Sequence, residues 1–129
     1  KVTPLNYSPV PSCVYCDPEI GSVGLTEEAA VQRGHRVRIV TFPFGVLGRA
    51  KISGDTDGFV KIVSDEQDDK ILGLHLIGPR ATELIAEAAL ALRMECTSLD
   101  LGRTIHAHPT LSEAIAEAAH ATHGDAIHA

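Results

Sequence analysis

No stretch of this chain is apolar for long enough to span a bilayer or to act as a signal peptide. No excess of lysine and arginine marks it for an anionic partner either: the formal charge is −6 and the basic residues are scattered, which excludes the electrostatic footprint of nucleic-acid or membrane-surface binding. Glycine never occurs as G-x-G-x-x-G. Gly21-x-x-Gly24 and Gly45-x-x-Gly48 have the wrong spacing, so the bare-backbone loop that receives a dinucleotide pyrophosphate at a helix N-terminus is missing. Internal repeats and low-complexity tracts are absent as well. A length of 129 residues fits one domain, enough to bury about two thirds of its unfolded surface. Beginning at Lys1 rather than Met, the chain reads as a fragment, and a cytoplasmic location is the default expectation.

Cysteine is scarce, with three in the chain. Cys13-x-x-Cys16 has the spacing of a thiol-disulfide pair, but 10–16 is rich in β-formers, and strand positions three apart face opposite sides. Cys13, Cys16 and Cys96 are therefore expected to be reduced packing residues.

What is present is concentrated in His106-Ala-His108-Pro109-Thr110-Leu111-Ser112-Glu113. Pro109 disfavours helical geometry at His108 and suits the start of a helix, which predicts an extended segment ending at His108 and Glu113 in the first helical turn. A carboxylate there could orient an imidazole and stabilise its protonated form, as a general acid/base requires. Thr110-x-x-Glu113 equally fits a capping box. His106-x-His108 with Glu113 could bind a metal, since alternate residues of an extended segment point the same way, but no further metal-type spacing joins them and no metal is assigned. Both imidazoles could also be plain hydrogen-bonded groups.

Periodicity and turn chemistry predict an α+β fold, an antiparallel β-sheet flanked by α-helices. Strands are expected near 13–16 and 20–24, then over 37–44, 46–53, 59–63 and 71–77, with Asp57-Gly58 and the acidic residues 65–69 as connections. Thr26 opens a short helix that Gly34 ends. The strands come as hairpins, hence the antiparallel sheet. A helix over about 82–94 carries Leu84, Ile85, Ala88, Ala89 and Leu92 in one stripe, while Ala86, Leu90 and Ala91 occupy other faces. One core does not use all of that surface, so either a subunit interface or a simple preference for alanine accounts for it. The last helix, about 110–122, is also alanine-rich and sets Glu113 and Glu117 on one side. His120, His123, Asp125 and His128 fall in a glycine-interrupted terminal stretch that reads as a solvated tail. The division is an extended arm over 1–12, a domain over 13–123 and a tail over 124–129.

The stretch 106–114 resembles the C-terminal signature of the dihydrolipoamide dehydrogenase family of flavoprotein disulfide oxidoreductases. The resemblance runs in order through 18–27, 57–61, 71–79, 83–89 and 126–129, nearly the whole chain. His-Pro followed by Thr-x-x-Glu is shared with glutathione and trypanothione reductases, whereas Leu-Ser-Glu-Ala preceded by His-Ala is similar to the lipoamide branch. The resemblance implies an FAD/NAD-linked reductase dimerisation domain, with His108 as the base toward a dithiol and Glu113 as its orienter. It further implies that His108 and Pro109 lie against the flavin of the other subunit of a homodimer. The full enzyme would use FAD and NAD, and its partner would be a lipoyl-bearing protein of a 2-oxo acid dehydrogenase complex. The family's pair of cysteines four residues apart is absent here, as is the phosphate-cradling glycine loop, so the fragment alone is expected to bind no cofactor and to be inactive. Two other functions fit: a non-catalytic stand-alone dimerisation module, or a domain of a related flavin disulfide reductase with another dithiol substrate.

Overall fold

A computed structural model describes residues 4–128. Five strands form one sheet: β1 (Ser12–Val14), β2 (Glu19–Gly24), β3 (Val37–Pro43), β4 (Phe59–Asp65) and β5 (Ile71–Gly78). Their order is β1-β2-β5-β4-β3 and every neighbouring pair is antiparallel. Five helices accompany them: α1 (Glu27–Gln32), α2 (Gly48–Ser53), α3 (Ala81–Arg93), α4 (Ser98–Arg103) and α5 (Glu113–Ala121). The architecture is the antiparallel α+β arrangement that the hairpin pattern predicts.

The register explains which side chains make the core. Val23, Leu74, Ile62, Leu76, Val60 and Phe42 are cross-strand neighbours on one face and all are buried. Over that face α3 crosses β2 and β5 while α5 crosses β3 and β4. The helices contribute Ile85, Ala88, Ala91, Ala114, Ile115 and Ala118, mostly alanines, so the two backbones lie close to the sheet. Gly21 shows how close: a Cβ there would stand 2.6 Å from the Ala81 carbonyl oxygen. Ala91, assigned by its spacing to another face, is in the core, whereas Leu90 and Met94 stay outside it.

Several expectations are corrected. Residues 46–53 are not a strand but a 3-10 turn, Phe44–Val46, followed by α2. Phe44, Leu47 and Ala50 are buried three apart, a helical period, and β4 already has both of its edges paired by β3 and β5. The first strand stops at Val14, and Cys16 lies in a bend with its thiol donating to the Pro18 carbonyl at 3.0 Å. Within the described part of the arm a turn closes at 7–10, where the Val10 N–H donates to the Tyr7 carbonyl. Residues 1–3 of the expected arm and Ala129 of the tail lie outside the described residues. The last helix begins at Glu113, later than predicted. No helix among the described residues is long and apolar enough to cross a membrane.

Candidate functional site: an imidazole on an exposed loop

The loop between α4 and α5 carries the histidines. α4 is opened by a capping box in which Thr97 and Asp100 satisfy each other's backbone N–H groups, and α5 presents Glu113 in its first turn. Glu113 Oε1 lies 2.8 Å from His108 Nδ1, and its Oε2 accepts the Thr110 backbone N–H at 2.8 Å. The Thr110 hydroxyl turns away to donate to the Ala107 carbonyl at 2.6 Å. Only half of the capping box is thus formed, and one carboxylate both caps the turn and holds the ring. This diverted hydroxyl is also why the helix starts late: residues 107–110 close their own turn first.

The electrostatics follow from that geometry. Partial burial acts to raise the Glu113 carboxyl, but the Thr110 N–H and the His108 ring outweigh it and hold it below the usual carboxylate range. An ionised carboxylate at Nδ1 assigns the proton there, which leaves Nε2 as the basic nitrogen. Nε2 has no hydrogen-bond partner among the described residues, and the His108 side chain is 72% exposed against 16% for Glu113. The arrangement is an oriented imidazole with one nitrogen free to take or give a proton.

His106, two residues earlier, is placed oppositely. Its Nε2 meets Glu87 Oε1 at 2.6 Å and its Nδ1 meets the Thr104 carbonyl at 2.8 Å, with the side chain only 8% exposed. The two imidazoles do not converge, so the shared metal site that alternate spacing allowed is not assembled, and no cluster of metal-ligating side chains occurs among the described residues.

The C-terminal stretch is not simply solvated. Glu117, buried on α5, accepts the Ile127 N–H at 2.8 Å and meets the His128 ring at 2.7 Å. Burial acts to raise its carboxyl, and these partners bring it below the ordinary value. His123 reaches Asp69 and Ser98 at 3.2 and 3.0 Å. A cleft of about 240 Å³ between the loop, α5 and the tail is lined by His106, Glu113, Glu117, His120 and His128. Sequence reasoning missed Glu87, the buried role of Glu117, and the contact of Ser22 Oγ with His75 Nδ1 at 2.5 Å; the last is set by the β2–β5 register and the others by how the loop and tail pack on the helices.

The crowded glycines are filled by this chain's own backbone, as at Gly73, where a Cβ would meet the Leu25 carbonyl, and Gly58, where it would meet that of Ile77. None of these forms a cradle for a pyrophosphate.

Residues 10–119 match the family model described as the pyridine nucleotide-disulphide oxidoreductase dimerisation domain. The chain belongs to that family. It is 54% identical over 125 residues to a dihydrolipoyl dehydrogenase of Bacillus subtilis, covering 97% of this chain and 26% of the relative. To the mitochondrial dihydrolipoyl dehydrogenase of Pisum sativum it is 48% identical over 128 residues, 99% of this chain and 26% of that one. Among solved structures, LpdA from Mycobacterium tuberculosis superposes with a TM-score of 0.86 at 31% identity, over 94% of this chain and 26% of that chain. The HOCl-induced flavoprotein disulfide reductase RclA from Escherichia coli does so with a TM-score of 0.81 at 29% identity, over 85% and 25%. The chain therefore spans about a quarter of the length of these relatives.

Proposed function

We propose that this domain supplies the acid/base of a dihydrolipoyl dehydrogenase, with His108 as the base, Glu113 as its orienter, and the active site completed by a second copy of the same protein. The observation that carries the reading is the exposed Nε2 of a ring whose other nitrogen is fixed by an ionised carboxylate. The His108 ring faces outward from this domain, open to a surface on which it can act.

FAD and NAD would supply the redox chemistry in the full enzyme, held by regions outside this domain, since the residues here form no phosphate cradle. The task of this chain is the proton. A lipoyl dithiol brought to His108 gives up a thiol proton to Nε2; the thiolate so formed attacks a disulfide elsewhere in the enzyme, and the released sulfur leaves as thiolate. Glu113 keeps Nδ1–H in place while the imidazolium persists. Pro109 follows His108 directly on the same exposed loop, where both would lie against the partner subunit's flavin.

Homodimer formation has a separate support. Leu90 and Met94 on α3 are 62% and 66% exposed, an apolar strip that the domain's own core leaves uncovered. Greater identity to dihydrolipoyl dehydrogenases than to RclA favours a lipoyl protein of a 2-oxo acid dehydrogenase complex over another dithiol substrate.

The test is His108→Gln in the full-length enzyme. Turnover with dihydrolipoyl substrate should fall roughly 10²- to 10⁴-fold with flavin content and dimer retained. An unaltered rate removes His108 from the mechanism.

A further inference from the structure

An acid/base has to be held where it works, and displacement by about 1 Å can cost as much as 10²-fold in rate. His108 stands on a loop whose residues 103–105 and 107–109 are all exposed, which is the ordinary condition of a mobile connection. What ties this loop down is therefore part of the chemistry.

Most of its side-chain hydrogen bonds stay local. The Thr104 hydroxyl donates to the Asp100 carbonyl, the Thr110 hydroxyl to that of Ala107, and Glu113 serves His108 and Thr110. Among the described residues one such bond leaves the loop and its flanking helices. It joins His106 Nε2 to Glu87 on α3, at 2.6 Å. The ring's other nitrogen is held by the loop's own backbone at Thr104. Both ring nitrogens face oxygen atoms at hydrogen-bond distance, the Thr104 carbonyl and the Glu87 carboxylate. Such a ring has no free nitrogen and is closed to chemistry. Glu87 itself is well founded, because its neighbours Ile85 and Ala88 are buried against the sheet.

We propose that His106 and Glu87 are positioning residues for His108, and that they form a clamp fixing where the loop stands while Glu113 fixes how the catalytic ring is turned. The clamp acts through a short, braced path: the His106 ring is pinned to α3, the Ala107 carbonyl is pinned by Thr110, and His108 follows. This inference rests on the reading of His108 as the base.

A double-mutant cycle in the flavin-loaded, full-length enzyme tests it, using Glu87→Ala, Glu87→Gln, His108→Gln and the double variant Glu87→Ala/His108→Gln. Glu87→Ala should lower kcat for dithiol oxidation about tenfold with KM for NAD unchanged. Glu87→Gln should recover most of that, since its amide oxygen still accepts from the imidazole. In the His108→Gln background, Glu87→Ala should have no further effect, because a clamp has nothing left to position. The same loss in both backgrounds, or none in the wild-type background, overturns the clamp while leaving His108 as the base. An unchanged rate for His108→Gln overturns the base and the clamp together. Should Glu87→Ala not retain flavin, His106→Gln is read through the same cycle.

Discussion

Two histidine–glutamate pairs stand side by side in this domain and have opposite characters. His106–Glu87 spans two elements, is partly buried, and uses both ring nitrogens. His108–Glu113 is local, its ring projects from the surface, and it uses one. Residue types and contact lengths are nearly the same, so neither distinguishes a chemical imidazole from a structural one. The difference lies in the second nitrogen: where it already has a partner the ring fixes structure, and where it is open the ring can exchange a proton.

The sharpest way to break that contrast, after His108→Gln, is to neutralise the orienter. Glu113→Gln should lower turnover roughly 10- to 100-fold, because the His108 ring loses the charged partner that orients it and stabilises its protonated form. If Glu113 served only as a cap, the amide oxygen would still accept the Thr110 N–H and rates would match the wild type; kinetics across pH beside the melting temperature separate the two.

A structural carboxylate should behave differently. Glu117→Gln, which removes the charge beneath the tail and its contact with the His128 ring, is expected to cost about 1 kcal/mol of stability, read from a denaturant midpoint. An unaltered midpoint would show that the Glu117 charge contributes nothing to the fold.

The smallest effect concerns a third imidazole. His75 is half-buried on β5, and its pKa is lowered from the ordinary 6.5, first by burial and also by nearby Lys61, against the opposing hydrogen bond with the Leu25 carbonyl. A depressed value favours the neutral ring in the folded state. Its contribution to stability is therefore present above pH 6.5 and is lost as pH falls below that toward the folded value. His75→Gln should flatten stability against pH in that window; an identical slope would remove His75 as its source.

The sheet was legible because alternation and turn chemistry are local. Asp57-Gly58 announces the start of β4, and the acidic 65–69 connection leads into β5, close to where the structure has them. α2 was not legible, because Val46–Ser53 has an apolar content that suits a strand, whereas β4, the strand it would join as a hairpin, already has β3 and β5 on its two edges. The late start of α5 was hidden for a related reason: whether the Thr110 hydroxyl caps a helix or bonds Ala107 is a competition that residue types do not reveal. A cytoplasmic location receives no support from likeness, since the relatives include both a bacterial and a mitochondrial enzyme.

By itself the sequence determined the fold class and the family, and it set His108 and Glu113 five residues apart, near enough to meet through one turn of chain. The tertiary structure alone decided that His106 belongs to Glu87, that Glu117 is buried beneath the tail, and that Ser22 faces His75. Those partners are 19, 10 and 53 residues apart, and contacts of that kind exist only once helices, strands and tail have packed.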